Sequence, residues 1–491
     1  MSKMGINIAI LVAYVLLMVG VGVYCMKKTN SVDGFLLGGR NLGPWLSAFA
    51  YGTSFFSAVI FIGYAGKNGW NLGISAIWIG IANAIIGCLA SWLVLAKKTR
   101  TMTHKLDAKT MPEFFEGRFD DKGMKIFSAI VIFIFLTPYA ASVYMGLSYL
   151  FISVFPTVPY VAWMFIMAIL TALYLVLGGY MATVLTDFIQ GLIMIVGIVL
   201  VIYFVISNDV VGGLTAGIQQ LREIPSVGKD LIAPFGGSNW FSLLSLVVLT
   251  SLGTWGLPQM IHKFYTVKTG KSIKQAAIIS TLFALLIGGG AYFIGAFGRL
   301  YLGNSIPAEG FDAIMPLMLN SALPSVMLGV LLVLILSASM STLSSLVMTS
   351  SSSLTIDLIK GQFAPNMSEK DTVGLMRILC VVFVGLSFAI AIFKPKEIVT
   401  LMSFSWGTVA GTFIGPYVWG LYSKKITRVG AWSGMLSGFM ASILPALASG
   451  FNAKYAPTFG MIAMIVSLII TPIVSIYTPK YNSEFIKEIF D

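Results

Sequence analysis

Ala338-Ser339-Met340-Ser341-Thr342-Leu343-Ser344-Ser345 is the stretch on which the reading of this chain turns. It lies within a long apolar segment, residues 323–355, that contains no charged side chain. Ser337, Ser341, Ser344, Ser345 and Ser352 recur at spacings of three, four and seven, which puts them on one face of an α-helix. Oxygens gathered on one face at bilayer depth suit a hard cation that prefers oxygen ligands. They also suit close helix packing, with hydroxyls back-bonded to their own helix. The rest of the chain weighs toward the ion.

Of the 491 residues, 57% are hydrophobic and 10% charged. A soluble domain carries about 25% charged residues, so the composition is that of an all-α integral membrane protein. Apolar runs of about 18 residues or more predict thirteen transmembrane helices: 5–27, 42–65, 72–97, 123–155, 158–178, 181–206, 238–262, 272–303, 323–355, 370–395, 397–421, 427–449 and 456–478. The first is too long for a signal-peptide core and lacks a small-residue cleavage pattern, so it is read as retained.

The net charge of +12 invites a nucleic-acid partner, but its distribution argues for topology. With the N-terminus outside, the inner loops and tail hold 21 Lys and Arg and the outer segments seven. That asymmetry satisfies the positive-inside rule and leaves the C-terminus in the cytoplasm. Four of the 21, Lys263, Lys268, Lys271 and Lys274, are assigned to one inner loop. Cys25, Cys88 and Cys380 fall in apolar spans and there are two histidines, His104 and His262, so neither a disulfide nor a histidine metal site is expected. No metal cluster, phosphate loop or Ser-His-Asp set speaks for an enzyme. Abundant Lys and Ile with few Arg point to a low-GC bacterium and its plasma membrane.

Residues 42–206 and 238–421 each form a block of five spans within one transporter domain, 1–491. An extra helix and loop (1–41) precede the blocks, and two helices and a tail (427–491) follow. Five is odd, so the second block enters the membrane inverted, as in the repeats of secondary transporters. The leading helix of each block is expected to be discontinuous. In the first, small and hydroxyl residues cluster around Gly52; in the second, Gly253, Gly256 and Pro258 fall within six residues, enough to interrupt a helix. The charged loop 99–122 reads as a corner or gate hinge, and 207–237 and 304–322 as outer caps.

Asp187 is the acid that should not be there. It lies in Leu185-Thr186-Asp187-Phe188, near the start of the sixth span, with no Lys or Arg expected at its depth. An intramembrane carboxylate costs several kcal/mol unless paired or solvated. A bound cation would compensate it; a helix N-cap near the interface is the alternative. Asp357 and Glu397 fall at span ends, where water can reach them.

Gly38-Gly39-Arg40-Asn41-Leu42-Gly43-Pro44, Pro112-Glu113-Phe114-Phe115-Glu116-Gly117-Arg118-Phe119, Gly178-Gly179-Tyr180 leading to Thr186-Asp187, and Met340-Ser341-Thr342-Leu343-Ser344-Ser345 together resemble the sodium/solute symporter family over nearly the whole chain. The sodium/proline branch is nearest, with features like the sialic acid transporters. The resemblance implies a LeuT-like 5+5 inverted-repeat core working by alternating access. It implies a main sodium site of carbonyls from Thr53, Phe56 and Ala338 with hydroxyls from Ser341 and Thr342. A second sodium is implied at Asp187, Ser341, Ser344 and Ser345. Solute is expected between the broken helices, near Ser54, Ser57, Tyr139, Thr254, Trp255 and Gln259. Phe55 stands where proline transporters of the family carry an acid, and Thr254 where they carry a tyrosine, which points away from proline.

The expected function is therefore a sodium-coupled symporter, not an enzyme, importing a small polar solute such as an amino acid or carboxylate. Its partners are that solute, one or two Na+ and the lipid bilayer, with no nucleic acid. A proton-coupled transporter using Asp187 and a passive facilitator are the alternatives.

Overall fold

The computed structural model describes residues 3–25, 31–394 and 396–490. Met26 and Lys27 at the end of the first expected span, Lys28, and Pro395 at the end of the tenth lie outside them. Among the described residues the regular structure is all helical, apart from an isolated bridge between Leu42 and Val267. Eleven helices among them are long and apolar enough to cross a membrane.

Two of the thirteen expected spans are not among the eleven: the second stops after the 12 residues of Pro44–Phe55, its remainder running on into the third, and the fifth is represented by the shorter apolar helix Tyr160–Leu173. Gly73 (φ 56°) joins the second and third expected spans so tightly that 59–105 runs as one stretch. Tyr160–Ser207 is 48 residues long; straight, it would extend about 72 Å, more than twice the hydrocarbon core. Gly179, at φ 56° and ψ −157°, divides it. A side chain disfavours that backbone region, and glycine enters it freely.

The helices sort into packed groups. Gly270–Gly295 packs on Pro44–Phe55, on 59–72 and on 77–90. Ser325–Ser352 packs on Lys122–Val154, on Tyr160–Ser207 and on Glu369–Phe393. Ile398–Tyr422, Arg428–Ala448 and Ala456–Tyr477 form a third group. There a Cβ on Gly438 would strike the Gly411 carbonyl, and one on Gly415 the Ser467 carbonyl. Backbone-to-backbone contact replaces the hydrophobic drive that lipid removes.

The loop helix Met111–Phe119 forms a corner. The Thr110 hydroxyl accepts from the Glu113 amide and donates to Asp357 Oδ1 at 2.9 Å, and Arg118 donates to the carbonyls of Gly420 and Ser423. Asp357 is fully buried, contrary to the expectation that it reaches water, because this corner folds over it. Glu397 keeps partial exposure and pairs with Lys67 at 2.6 Å.

In the stretch 304–322, expected to be an outer cap, Asp312 is 4% exposed and accepts from the Ile398 amide at 3.1 Å, at the start of Ile398–Tyr422. Burial, aided by the Glu397 charge, pushes its carboxyl up to about 6. Because the folded state favours the protonated form, the stability it contributes is fully present at low pH and lost as pH rises toward 6. Asp312→Asn, neutral at every pH, should gain melting temperature relative to the native protein between about pH 4 and about 6 and hold a constant difference above it. Parallel melting-temperature curves of the two proteins over that window would remove Asp312 from the pH response.

Candidate ion and solute site

Pro44–Phe55 ends at Phe56, whose backbone is extended (φ −106°, ψ 115°), and helical geometry resumes at Ala58. The discontinuity thus lies at Phe56-Ser57, not around Gly52, which stays helical beneath the Phe283 ring. A single glycine weakens a helix by about 1 kcal/mol without breaking it. At the actual break, Phe55 and Phe56 stack at 4.6 Å, and the Ser57 hydroxyl accepts from the Val59 amide at 3.2 Å, starting the next segment. Phe55, Phe56, Ser57 and Ala58 are fully buried, as unwound backbone in a bilayer must be. A helix end leaves its last carbonyls without intrahelical partners.

The middle of Ser325–Ser352 meets that end. Ser341 Oγ donates to Thr53 Oγ1 at 2.7 Å, and Thr342 Oγ1 donates to the carbonyls of Ser54 (3.2 Å) and Ala338 (3.1 Å). Ser339 Oγ accepts from the Ala58 amide at 3.1 Å, and Ser345 Oγ lies 2.8 Å from Ser54 Oγ. Ser344 and Ser352 back-bond within their own helix, as the packing reading of the serine face expects, while Ser341, Thr342 and Ser345 turn to the end of Pro44–Phe55. Thr53, Ala338, Ser341 and Thr342 meet at this seam, and Phe56 of the same expected set is the first residue past the helix end. The neutral oxygens of the seam fit a monovalent hard cation, since a hydroxyl can accept a cation while donating its hydrogen to a carbonyl.

The second leading helix breaks where expected. Trp240–Val247 loosens through Val248–Leu252 and Gly253–Trp255, Leu257 is extended (φ −85°, ψ 119°), and Pro258–Tyr265 restarts with proline in its first turn. Thr254 donates to the Gly87 carbonyl and Trp255 Nε1 to the Ile86 carbonyl, both at 3.0 Å. Tyr51 donates to the same Gly87 carbonyl at 2.6 Å. Asn83–Ala90 is π-wound, which disturbs the regular ladder and opens carbonyls to outside donors. Thr254 and Trp255 are thus committed to the neighbouring helix, with the Trp255 ring only half-buried.

Gln259 is buried in the first turn of Pro258–Tyr265, and its Oε1 has no hydrogen-bond partner. Ser54, Ser57, Tyr139, Thr254 and Gln259 are each at most 2% exposed. Sequence reasoning missed Trp406. It is edge-on to Tyr139 at 5.7 Å and stacked on Phe55 at 5.9 Å. A tryptophan in the middle of a span, away from the interfacial belts, was the available signal.

Asp187 is fully buried, and it has a basic partner after all. Lys263 Nζ lies 3.9 Å from Asp187 Oδ2, donates to Ser345 Oγ at 3.0 Å, and sits 5.2 Å from the Tyr180 ring centre. Lys263 is 2% exposed, so it is not the inner-loop lysine expected. Hydropathy ends the seventh span at His262; the break at Gly256-Leu257 instead lets Pro258–Tyr265 carry Lys263 into the interior. The structure therefore brings Asp187 and Ser345 of the second ion set to one ammonium, with Ser341 beside Asp187 and Ser344 turned to the Ser341 carbonyl.

The sequence model of the sodium:solute symporter family matches residues 35–438. The high-affinity proline transporter PutP of Bacillus subtilis (strain 168) is 31% identical over 460 residues, 93% of this chain and 95% of that one. The sodium/proline symporter of Haemophilus influenzae is 33% identical over 438 residues, 87% of this chain and 85% of that one. A solved Na+-coupled sialic acid symporter, substrate-bound and outward-open, matches with TM-score 0.76 at 19% identity, covering 95% of this chain and 98% of that one. Mhp1, a nucleobase-cation-symport-1 family transporter, matches with TM-score 0.53 at 14% identity, covering 94% and 98%. These likenesses are of fold, and the fold is the LeuT-like transporter fold.

Proposed function

The chain belongs to the sodium:solute symporter family, and from that premise we propose that it imports a small amino acid or related carboxylate with sodium by alternating access. The observation that carries this reading is the seam in which Ser341 and Thr342 reach Thr53 and Ser54 at the end of a broken helix. Sodium held by Thr53, Phe56, Ala338, Ser341 and Thr342 would draw ligands from two helix groups, so binding locks their register and release lets them part.

Solute would lie between the breaks, near Ser54, Ser57, Tyr139 and Gln259, against Trp406. The positive end of the Pro258–Tyr265 dipole would favour a carboxylate, and the carbonyl end of Pro44–Phe55 an ammonium. An amino acid matches both ends. The apolar surroundings of Phe55 argue against a solute that needs a carboxylate there.

The blocks 42–206 and 238–421 act as the inverted repeats, in a bacterial plasma membrane, with the N-terminus outside and the C-terminus in the cytoplasm. One sodium entering down 100 mV supplies about 2.3 kcal/mol, and a tenfold gradient about 1.4 kcal/mol more. Together they sustain accumulation on the order of several hundred-fold.

Proteoliposomes offered a panel of labelled amino acids and short carboxylates test the reading. Uptake of at least one should rise about tenfold or more when sodium replaces potassium at fixed potential. Equal uptake in potassium would end sodium coupling, a pH gradient acting alone would favour protons, and failure to concentrate any solute would favour a passive facilitator.

A further inference from the structure

Lys263 is the charged group that the sodium seam does not use. Its ammonium links three elements: its own helix Pro258–Tyr265, Asp187 in Gly179–Ser207, and Ser345 in Ser325–Ser352. Ser345 continues the chain of contacts to Ser54 Oγ, in the last turn before the first break. Both charged partners are buried, with Ser341 the hydroxyl beside the Asp187 carboxylate.

We propose that Lys263 is a tethered second cation: its ammonium permanently fills the place between Asp187 and Ser345 that a second sodium would take, so solute is coupled to one sodium. This rests on the sodium-symport reading above and adds the ion count to it. Three features of the site support it. An ammonium carries the same single charge as sodium and also seeks oxygen partners. Lys263 stands in the last turn of its helix, where the macrodipole favours a cation. Its contact with Ser345 is at direct hydrogen-bond distance, which leaves no room for a hydrated ion between them.

The consequence is energetic as well as structural. Compensation of Asp187 by a side chain does not vary with external sodium, so the gradient drives the cycle through the Ser341–Thr342 seam alone. The accumulation ceiling then follows one sodium rather than the square of that ratio. A tethered cation also joins the second broken helix to the serine helix in whichever state keeps this contact.

The test uses the purified full-length protein in nanodiscs with sodium alone as probe, counting bound 22Na per protein and following tryptophan fluorescence. The native protein should bind one sodium with a Hill slope of about 1. Lys263→Ala should bind two, with a slope approaching about 2, and Lys263→Ala/Asp187→Asn should return to one. Lys263→Met/Asp187→Asn leaves no buried charge and serves where the single variant does not fold; it should bind one sodium, and its failure to bind any overturns the proposal. Two sodiums in the native protein, or a Lys263→Ala count that stays at one, also overturn it while leaving sodium symport intact. No sodium binding by the native protein would overturn the sodium-symport reading itself, and this inference with it.

Discussion

Replacing Thr342 with valine should raise the sodium concentration for half-maximal transport by roughly 10- to 100-fold, the range expected for losing an interaction with a charge worth about 1.5–3 kcal/mol. Valine keeps the shape and removes the oxygen. Thr342→Ser keeps the oxygen and should stay near the native value. The native hydroxyl is shared between the Ser54 and Ala338 carbonyls, one on each side of the seam, so its loss weakens both the cation's cage and the contact that closes it. Ser341→Ala should act in the same direction, and the pair should be non-additive because the two residues face the same short helix end. The measurement is a sodium titration at saturating solute. If Thr342→Val keeps the native sodium dependence, the serine face exists for packing and the ion lies elsewhere.

What could be read from residue order follows from which forces are local. Apolar runs place the membrane helices because a span's length is set by the bilayer. The second break was legible because Gly256 and Pro258 disrupt a helix by themselves. The first was only approximately placed, since Phe56-Ser57 opens through a stacked aromatic pair, a serine cap and an amide satisfied by Ser339 from a distant helix. Lys263 was misplaced for a related reason: hydropathy windows end a span at its first charges and cannot register that a break turns the remaining turns inward. The partner of Asp187 was hidden as long as Lys263 was counted as a loop residue. The seam of Thr53, Ser341 and Thr342 was legible only through family resemblance, because its two halves are 288 residues apart.

Gly69→Val should cost about 3 kcal/mol or more, at or beyond the upper end for overpacking, and should keep the protein from accumulating in the membrane. A Cβ at Gly69 would strike the Gly295 carbonyl and lie 2.7 Å from the Ala296 amide nitrogen, while a Cβ at Gly295 would strike the Ala65 carbonyl. The obstruction is reciprocal and consists of backbone, so no rotamer relieves it; the helices 59–72 and Gly270–Gly295 must separate. That separation would move the outer half of the first broken helix, and with it the Ser57-capped break, away from Ser339 and the seam. Gly374, inside Glu369–Phe393, has nothing within 4 Å of its would-be Cβ, so Gly374→Ala should be neutral or stabilise by about 0.5–1 kcal/mol through helix propensity. Melting temperature and membrane yield of the two variants check the contrast. Equal outcomes would mean that the close approach at Gly69 does not hold in the membrane. Among 50 glycines, sequence offers no means of telling these two apart: each looks like an ordinary glycine near the polar end of a helix, and the difference lies wholly in the backbone packed opposite.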